Sequence, residues 1–315
     1  MNTTRDSIEE QLGESAGRYF GLGFSTVTHA LKTESYSRDS LTALVSVGYP
    51  SSWSVKNGVT RTAHLTSIDA IALGMRLAFK LVTHAFAIST ADMPYLWASG
   101  CRLSPGPTPQ YNLSQFEANV RIIDLDSALA AGLVTVSCRL GSFQVTIDVV
   151  LGSGPPQSQM VRGIYAEQAD LPYYTDGYKE VFRHLGQVES VNGSFQAMAQ
   201  LGQIGVDGRT GCESGLTFID AGIFCAQVAQ VAMYAQDGLS RTETGNTWLR
   251  AATFRQTGEA RGHRFEGTCE VTLTRTKLLE RSLRMWRCSE FLGRIGDIEV
   301  NFSLAHEISA ERENA

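Results

Sequence analysis

A six-residue stretch, Leu65-Thr66-Ser67-Ile68-Asp69-Ala70, returns 151 positions later as Leu216-Thr217-Phe218-Ile219-Asp220-Ala221. Two looser echoes follow in the same order. Phe116-Glu117-Ala118-Asn119-Val120-Arg121-Ile122 matches Phe265-Glu266-Gly267-Thr268-Cys269-Glu270-Val271 at an offset of 149. Phe143-Gln144-Val145-Thr146-Ile147 pairs with Ile298-Glu299-Val300-Asn301-Phe302 at an offset of 155. Collinear matches at a nearly constant offset are the trace of a duplication, and so long a period means two tandem domains rather than a solenoid. The expected units are residues 1–156 and 157–315, divided at the breaker cluster Gly152-Ser153-Gly154-Pro155-Pro156.

Both copies follow one grammar. After the first motif, Ile68, Ile71, Ala72, Met75, Phe79, Val82 and Phe86 step by threes and fours, with Leu73, Leu77 and Leu81 as a second stripe. A helix apolar over most of its circumference must be buried on most sides. Alternating, β-rich runs follow: Gly132 to Leu151, then Phe265 to Thr276 and Ile295 to Leu304. A buried helix and a set of long antiparallel strands, twice over, predict an α+β double hotdog. Its two antiparallel sheets would each wrap a long helix and pair with one another. Helices packed on an ordinary open sheet are the alternative.

Composition narrows the function classes. The formal net charge of −5 and the absence of any long basic run argue against a nucleic-acid binder or a membrane-surface protein. The most apolar stretch, Ile68 to Ile88, carries Arg76 and Lys80 near its centre, which suits a buried helix better than a membrane span. The first fifteen residues are polar and acidic, without the apolar core of a secretory signal. Six cysteines without a CxxC pair fit a reduced, cytoplasmic protein. No HxxxH or HExxH spacing occurs, so neither a metal nor another cofactor is expected.

Further motifs carry a resemblance. They begin with Ile8-Glu9-Glu10-Gln11-Leu12-Gly13, Arg18-Tyr19-Phe20-Gly21 with Gly23-Phe24, and Tyr49-Pro50 with Trp53-Ser54 and Lys56. They continue with His64 to Ala70, Asp176-Gly177-Tyr178-Lys179, and Gln227 with Gln230. The last are Asp237-Gly238-Leu239-Ser240-Arg241, Asn246-Thr247-Trp248 and Arg250. In this order they resemble the avirulence D proteins over almost the full length. That resemblance implies a double-hotdog enzyme joining a 3-oxoacyl thioester to a small sugar such as a ketopentose, giving acyl-glycosides or syringolide-like lactones. The carrier would be coenzyme A or an acyl carrier protein, and the enzyme a monomer or homodimer. The logic is similar to that of the A-factor synthase group, which esterifies a 3-oxoacyl carrier protein with a triose phosphate.

Acyl transfer to a hydroxyl needs a base, donors for the developing oxyanion and a slot that keeps water from the acyl chain. Free N–H groups at a helix N-terminus can supply the donors. Asp69 and Asp220 sit there, but Thr66-x-x-Asp69 and Thr217-x-x-Asp220 also have capping-box spacing, so capping alone would account for them. On a helical wheel Asp220, Gln227, Gln230, Tyr234, Asp237 and Arg241 share a sector of about 100°. That stripe is either solvated or the wall of a pocket, with Asp220 as acid or base and Gln227 as its partner. His64 has Gly215 as its counterpart in the second copy, and that asymmetry makes it the candidate base facing Asp220. Arg241 and Arg250 are candidates for binding a phosphate or phosphopantetheine. Tyr49, Trp53 and Lys56 are placed near the entrance by the resemblance. A dehydratase or thioesterase using His64 and Asp220, or a ligand-binding protein without catalysis, are the competing readings.

Overall fold

The computed structural model describes residues 7–56, 58–89, 96–151, 173–203, 215–257, 264–281 and 284–308. The expected linker at 152–156, the boundary at 156/157 and Cys212 lie outside them. In the first half β1 (Thr28–Tyr36), β2 (Ser40–Gly48), a small hairpin of β3 (Val55–Lys56) and β4 (Val59–Thr60), β5 (Leu96–Pro105), β6 (Phe116–Ile123), β7 (Leu133–Leu140) and β8 (Phe143–Leu151) surround a helix, Ser67–Ala85. The second half has β9 (Val181–Leu185), β10 (Glu189–Val191), β11 (Ser194–Gln203), β12 (Thr247–Gln256), β13 (Arg264–Arg281), β14 (Arg284–Ile295) and β15 (Ile298–Ile308) around a second helix, Phe218–Asp237.

The strands form one 13-stranded sheet in the order β1-β2-β6-β7-β8-β5-β12-β15-β14-β13-β11-β10, with β9 also on β11. Read outward from the centre, β5-β8-β7-β6-β2-β1 has the same connectivity as β12-β15-β14-β13-β11-β10. The three sequence echoes fall on equivalent elements: the starts of the two helices, β6 with β13, and β8 with β15. Each β-hairpin that ends a half turns on a glycine with positive φ, Gly141 at 54° and Gly296 at 52°, a conformation that strains any side chain bearing a Cβ. The expected pairing of the two sheets takes a definite form. Antiparallel pairing of β5 with β12 from Gly100–Arg255 to Leu103–Ala252 fuses them into a single sheet, because both central edges would otherwise present unpaired backbone.

Strand alternation aims one face of the sheet at the helices. β6 alternates buried and exposed residues along its whole length, and β7 and β8 send Val134, Val136, Cys138, Val145, Ile147 and Val149 inward. The first helix packs on β5 to β8 and the second on β11 and β13 to β15. Ile68, Ile71, Leu73, Met75, Leu77, Phe79, Leu81 and Val82 are all buried, so both predicted stripes are in the core. Each such side chain contributes about 1.5–3 kcal/mol when fully removed from water. The second helix is long and apolar enough by composition to cross a membrane, yet most of it is buried within the protein.

The two halves solve one packing problem in opposite ways. Gly74 on the first helix lies against β7, where Cys138 Sγ is 3.8 Å from the Gly74 carbonyl. The equivalent pair in the second half is Cys225 on the helix and Gly293 on β14, so the large and small partners have exchanged sides. A Cβ on Gly293 would meet Cys225 Sγ at 2.7 Å. Gly293→Ala is therefore expected to destabilise the fold by about 1–3 kcal/mol through overpacking. Adding Cys225→Gly should recover part of that loss, and purely additive urea-denaturation energies for the two changes would refute the paired packing.

Candidate functional site

Both central helices begin inside the protein, so their first amides must be satisfied without water. Thr66 and Asp69 form a complete capping box on the first helix, and Thr217 and Asp220 form one on the second. Both aspartates are fully buried. A carboxylate in such a place needs donors, and the two halves supply different ones.

Asp69 is held by His29 from β1, whose Nε2 lies 2.9 Å from Oδ1. Tyr49 Oη and Thr66 Oγ1 donate to Oδ2 in very short hydrogen bonds, the Thr66 amide donates at 3.2 Å, and Tyr19 Oη lies 3.5 Å away. Burial on its own would raise the Asp69 pKa, but the bond and charge of His29, with Thr66 and Tyr49, outweigh it and hold the carboxyl below its usual value. Burial and the Asp69 charge push the Tyr19 and Tyr49 phenols well up, so both remain protonated donors. His29 Nδ1 is buried without a hydrogen-bond partner.

Asp220 is locked by a permanent cation. Arg183 from β9 donates Nε to Oδ1 at 2.9 Å, Tyr173 Oη donates to Oδ2 at 2.6 Å, and the Thr217 hydroxyl and amide complete the set at 2.7 and 3.0 Å. A basic group from the outer strand of each half thus reaches its capping aspartate. In the first half it is a histidine; in the second it is an arginine, whose guanidinium keeps its charge.

His64 precedes the first helix and does not join Asp220: among the described residues no hydrogen bond or ion pair links them. The expected dyad is absent because Arg183 and Tyr173 already occupy the carboxylate. His64 Nδ1 lies 3.1 Å from the Thr62 carbonyl and donates to it, which leaves Nε2 with its lone pair. Three aromatic rings surround the imidazole. Trp53 and Tyr111 lie 5.7 and 6.3 Å away in the first half, and Trp248 of β12 is 5.1 Å away in the second. Burial lowers the His64 pKa, with the Thr62 bond and Asp69 opposing, so the ring is unprotonated at neutral pH.

Trp53 joins this histidine to the buried network. Its ring contacts Tyr19 at 5.5 Å and Tyr49 at 4.9 Å, and its Nε1 donates to the Arg61 carbonyl at 2.9 Å. The polar stripe on the second helix faces inward rather than toward solvent. Gln227 is buried and accepts from Arg18 Nη1 at 2.7 Å, Tyr234 is buried, and Asp237 binds Arg287 and His306. Arg241 donates to the carbonyls of Gly17 and Val55, and Lys56 Nζ reaches Thr244 Oγ1 at 2.8 Å and the Gly245 carbonyl at 3.0 Å.

Most of the expected residues therefore share one neighbourhood: Tyr49, Trp53, Lys56, His64, Asp69, Gln227, Tyr234 and Arg241. Gln230 is half-buried and Arg250 exposed, and neither hydrogen-bonds to that group among the described residues. Asp220 belongs to its own network. Sequence reasoning missed His29, Arg183 and Arg18. An open groove of about 500 Å³ on the outer edge of the second half, lined by His184, Glu189, Met198 and Glu266 among others, shares no residue with either aspartate network.

Two like units, fused through one sheet and unlike at their helix ends, make this a duplicated α+β protein. The family model described as Pseudomonas avirulence D protein (AvrD) matches residues 3–309, and the chain belongs to that family. No curated protein matches it. Similar solved structures include a protein of unknown function with a hot dog fold from Alicyclobacillus acidocaldarius, at 8% identity and TM-score 0.40, covering 89% of this chain and 96% of the other. The pyran synthase domain from module nine of the sorangicin pathway is 12% identical with TM-score 0.37, covering 89% and 97%. A conserved hypothetical protein from Mycobacterium tuberculosis, described as a double hotdog, is 10% identical with TM-score 0.36, covering 77% and 82%. At these scores the likenesses assign no residue a role.

The different cations predict different costs of neutralisation. Asp220→Asn leaves Arg183 charged and buried, and is expected to destabilise the protein by about 3–5 kcal/mol. Asp69→Asn weakens hydrogen bonds from His29 and Tyr49 without leaving a guanidinium unpaired, and should cost about 1–3 kcal/mol. Urea unfolding of both variants at pH 7.5 checks the order, and an equal or larger loss for Asp69→Asn would refute it.

Proposed function

We propose that the protein is a double-hotdog acyltransferase-like synthase, joining a 3-oxoacyl thioester to a hydroxyl of a small sugar. The observation that carries this reading is His64. It is an unprotonated imidazole with a free Nε2, two residues before the cap of a buried helix, inside an aromatic wall contributed by both halves. Membership of the avirulence D family supports the substrate class.

In this reading His64 Nε2 takes the proton of the acceptor hydroxyl as its oxygen attacks the thioester carbonyl. The carbon–oxygen bond forms, the carbon–sulfur bond breaks, and the proton passes to the departing thiolate. The first-turn amides of Ser67 and Ile68 stabilise the oxyanion, and the Asp69 network fixes that turn. Trp53, Tyr111 and Trp248 shield the acyl chain from water. Asp220 anchors the second helix, with Arg183 as its counter-charge. Thioesterase activity is the same chemistry with water as acceptor.

Incubating the protein with a 3-oxoacyl thioester and several sugars, followed by mass analysis, should reveal an ester whose formation tracks thiol release. Thiol release without an ester would identify a thioesterase instead. His64→Gln should lower kcat by about 10²–10⁴. The acid limb of kcat/KM should lie below pH 6.5, since burial lowers the His64 pKa and protonation removes the base. Unchanged turnover and pH profile in His64→Gln would dismiss this histidine as the base.

A further inference from the structure

Beside the His64 wall, the structure gathers four cations. Arg241 Nη2 bonds the carbonyls of Gly17 and Val55 at 3.1 and 3.0 Å, which draws in the next residue of each segment, Arg18 and Lys56. Arg61 hangs on the same hairpin, its amide donating to the Ser54 carbonyl at 2.9 Å. Lys56 and Arg18 are buried at 6% and 4% exposure, whereas Arg61 and Arg241 are half-buried and form the outer side.

Among the described residues none of the four forms an ion pair. Their polar contacts are to backbone carbonyls and to the neutral Gln227 and Thr244. Among the described residues Arg61 Nε is buried without a hydrogen-bond partner. Two further buried groups without partners, His306 Nδ1 and Thr247 Oγ1, stand opposite each other in the β12–β15 register. Thr247 also follows shortly after the Thr244 and Gly245 contacts of Lys56. Burying several cations without an acid is unfavourable unless something else supplies the negative charge. Guanidinium forks and an ammonium together suit a tetrahedral oxyanion.

We propose that Lys56, Arg61 and Arg241, backed by Arg18, form a phosphoryl-binding subsite next to the acyl-transfer site. Resting on the function proposed above, this assigns a phosphate to one of the two substrates: a phosphorylated acceptor sugar or the phosphopantetheine arm of the acyl carrier. The surroundings of Lys56 agree with an unfilled anion site. Burial, Arg61 and Arg241 lower its pKa to about 7, and burial and Arg241 lower that of Arg18 to about 10. A bound phosphate dianion would reverse that pressure on Lys56, which Arg61, Arg241 and His306 otherwise surround with positive or potentially positive charge.

The test is titration of the full-length protein with inorganic phosphate at pH 8, followed by calorimetry in buffers of different ionisation enthalpy. Saturable binding with proton uptake is expected, and it should be lost in Lys56→Met and weakened at least tenfold in Arg61→Gln, a half-buried position that leaves the core intact. No binding beyond that of chloride at equal ionic strength, or wild-type affinity in both variants, would overturn the subsite. In turnover assays, Arg61→Gln should raise KM for a phosphorylated sugar but not for its dephosphorylated form if the acceptor carries the group. If the carrier does, the same contrast should appear between phosphopantetheine and pantetheine thioesters. Phosphate binding without any ester formation would leave the subsite standing while removing the proposed reaction.

Discussion

Each central helix starts inside the protein, and a threonine hydroxyl together with a carboxylate at its third position caps it. Much else in the molecule follows from that constraint. An aspartate fully buried at 0% exposure cannot remain charged unless donors surround it. The outer strand of each half must therefore deliver a basic side chain to the helix end, and tyrosines must complete the set. His29 with Tyr19 and Tyr49 does so in one half, and Arg183 with Tyr173 in the other. The cap thereby ties strand, helix and flanking loop into one rigid corner, twice.

The choice of base separates the roles of the two corners. Arg183 holds its proton throughout the accessible pH range, so the Asp220 carboxylate keeps a fixed counter-charge. His29 and His64 put two imidazoles at the Asp69 corner, whereas among the described residues the Asp220 corner has none. Duplication explains the shared scaffold, and divergence of a few side chains explains why the two capping aspartates have different partners. The exchange of Gly74 and Cys138 for Cys225 and Gly293 shows the same independence inside the core. Each half conserves the volume at the helix–sheet contact while placing it on the opposite partner.

The fold was largely legible because its strongest signals are local and doubled. Helical period marks both core helices, and the repeated Thr-x-x-Asp spacing marks both caps; each is a property of neighbouring residues. Which strands join the two sheets was not legible in the same way. The pairing of β5 with β12 joins strands about 150 positions apart, and neither strand's alternation names its neighbour. His29 was missed because β1 reads as a polar edge strand. The one usable signal is parity, since His29 shares a face with Leu31. Arg183 was missed for a related reason: the spacing that revealed the Asp220 cap says nothing about a partner that arrives from 37 residues earlier.

The segment from Tyr49 to His64 links the two chemical features that lie outside the caps. Trp53 packs on Tyr19 and Tyr49 and faces His64, while Lys56 on the adjoining hairpin reaches the second half. A displacement of this hairpin must move the aromatic wall and the cation cluster together. Arg241 fixes it by bonding Val55 and Gly17 from the end of the second helix, and Arg18 repeats the tie through Gln227. The geometry of the first half's site is thus set by the second half. Neither unit alone could hold it, which gives a physical reason for the duplicated chain to stay joined.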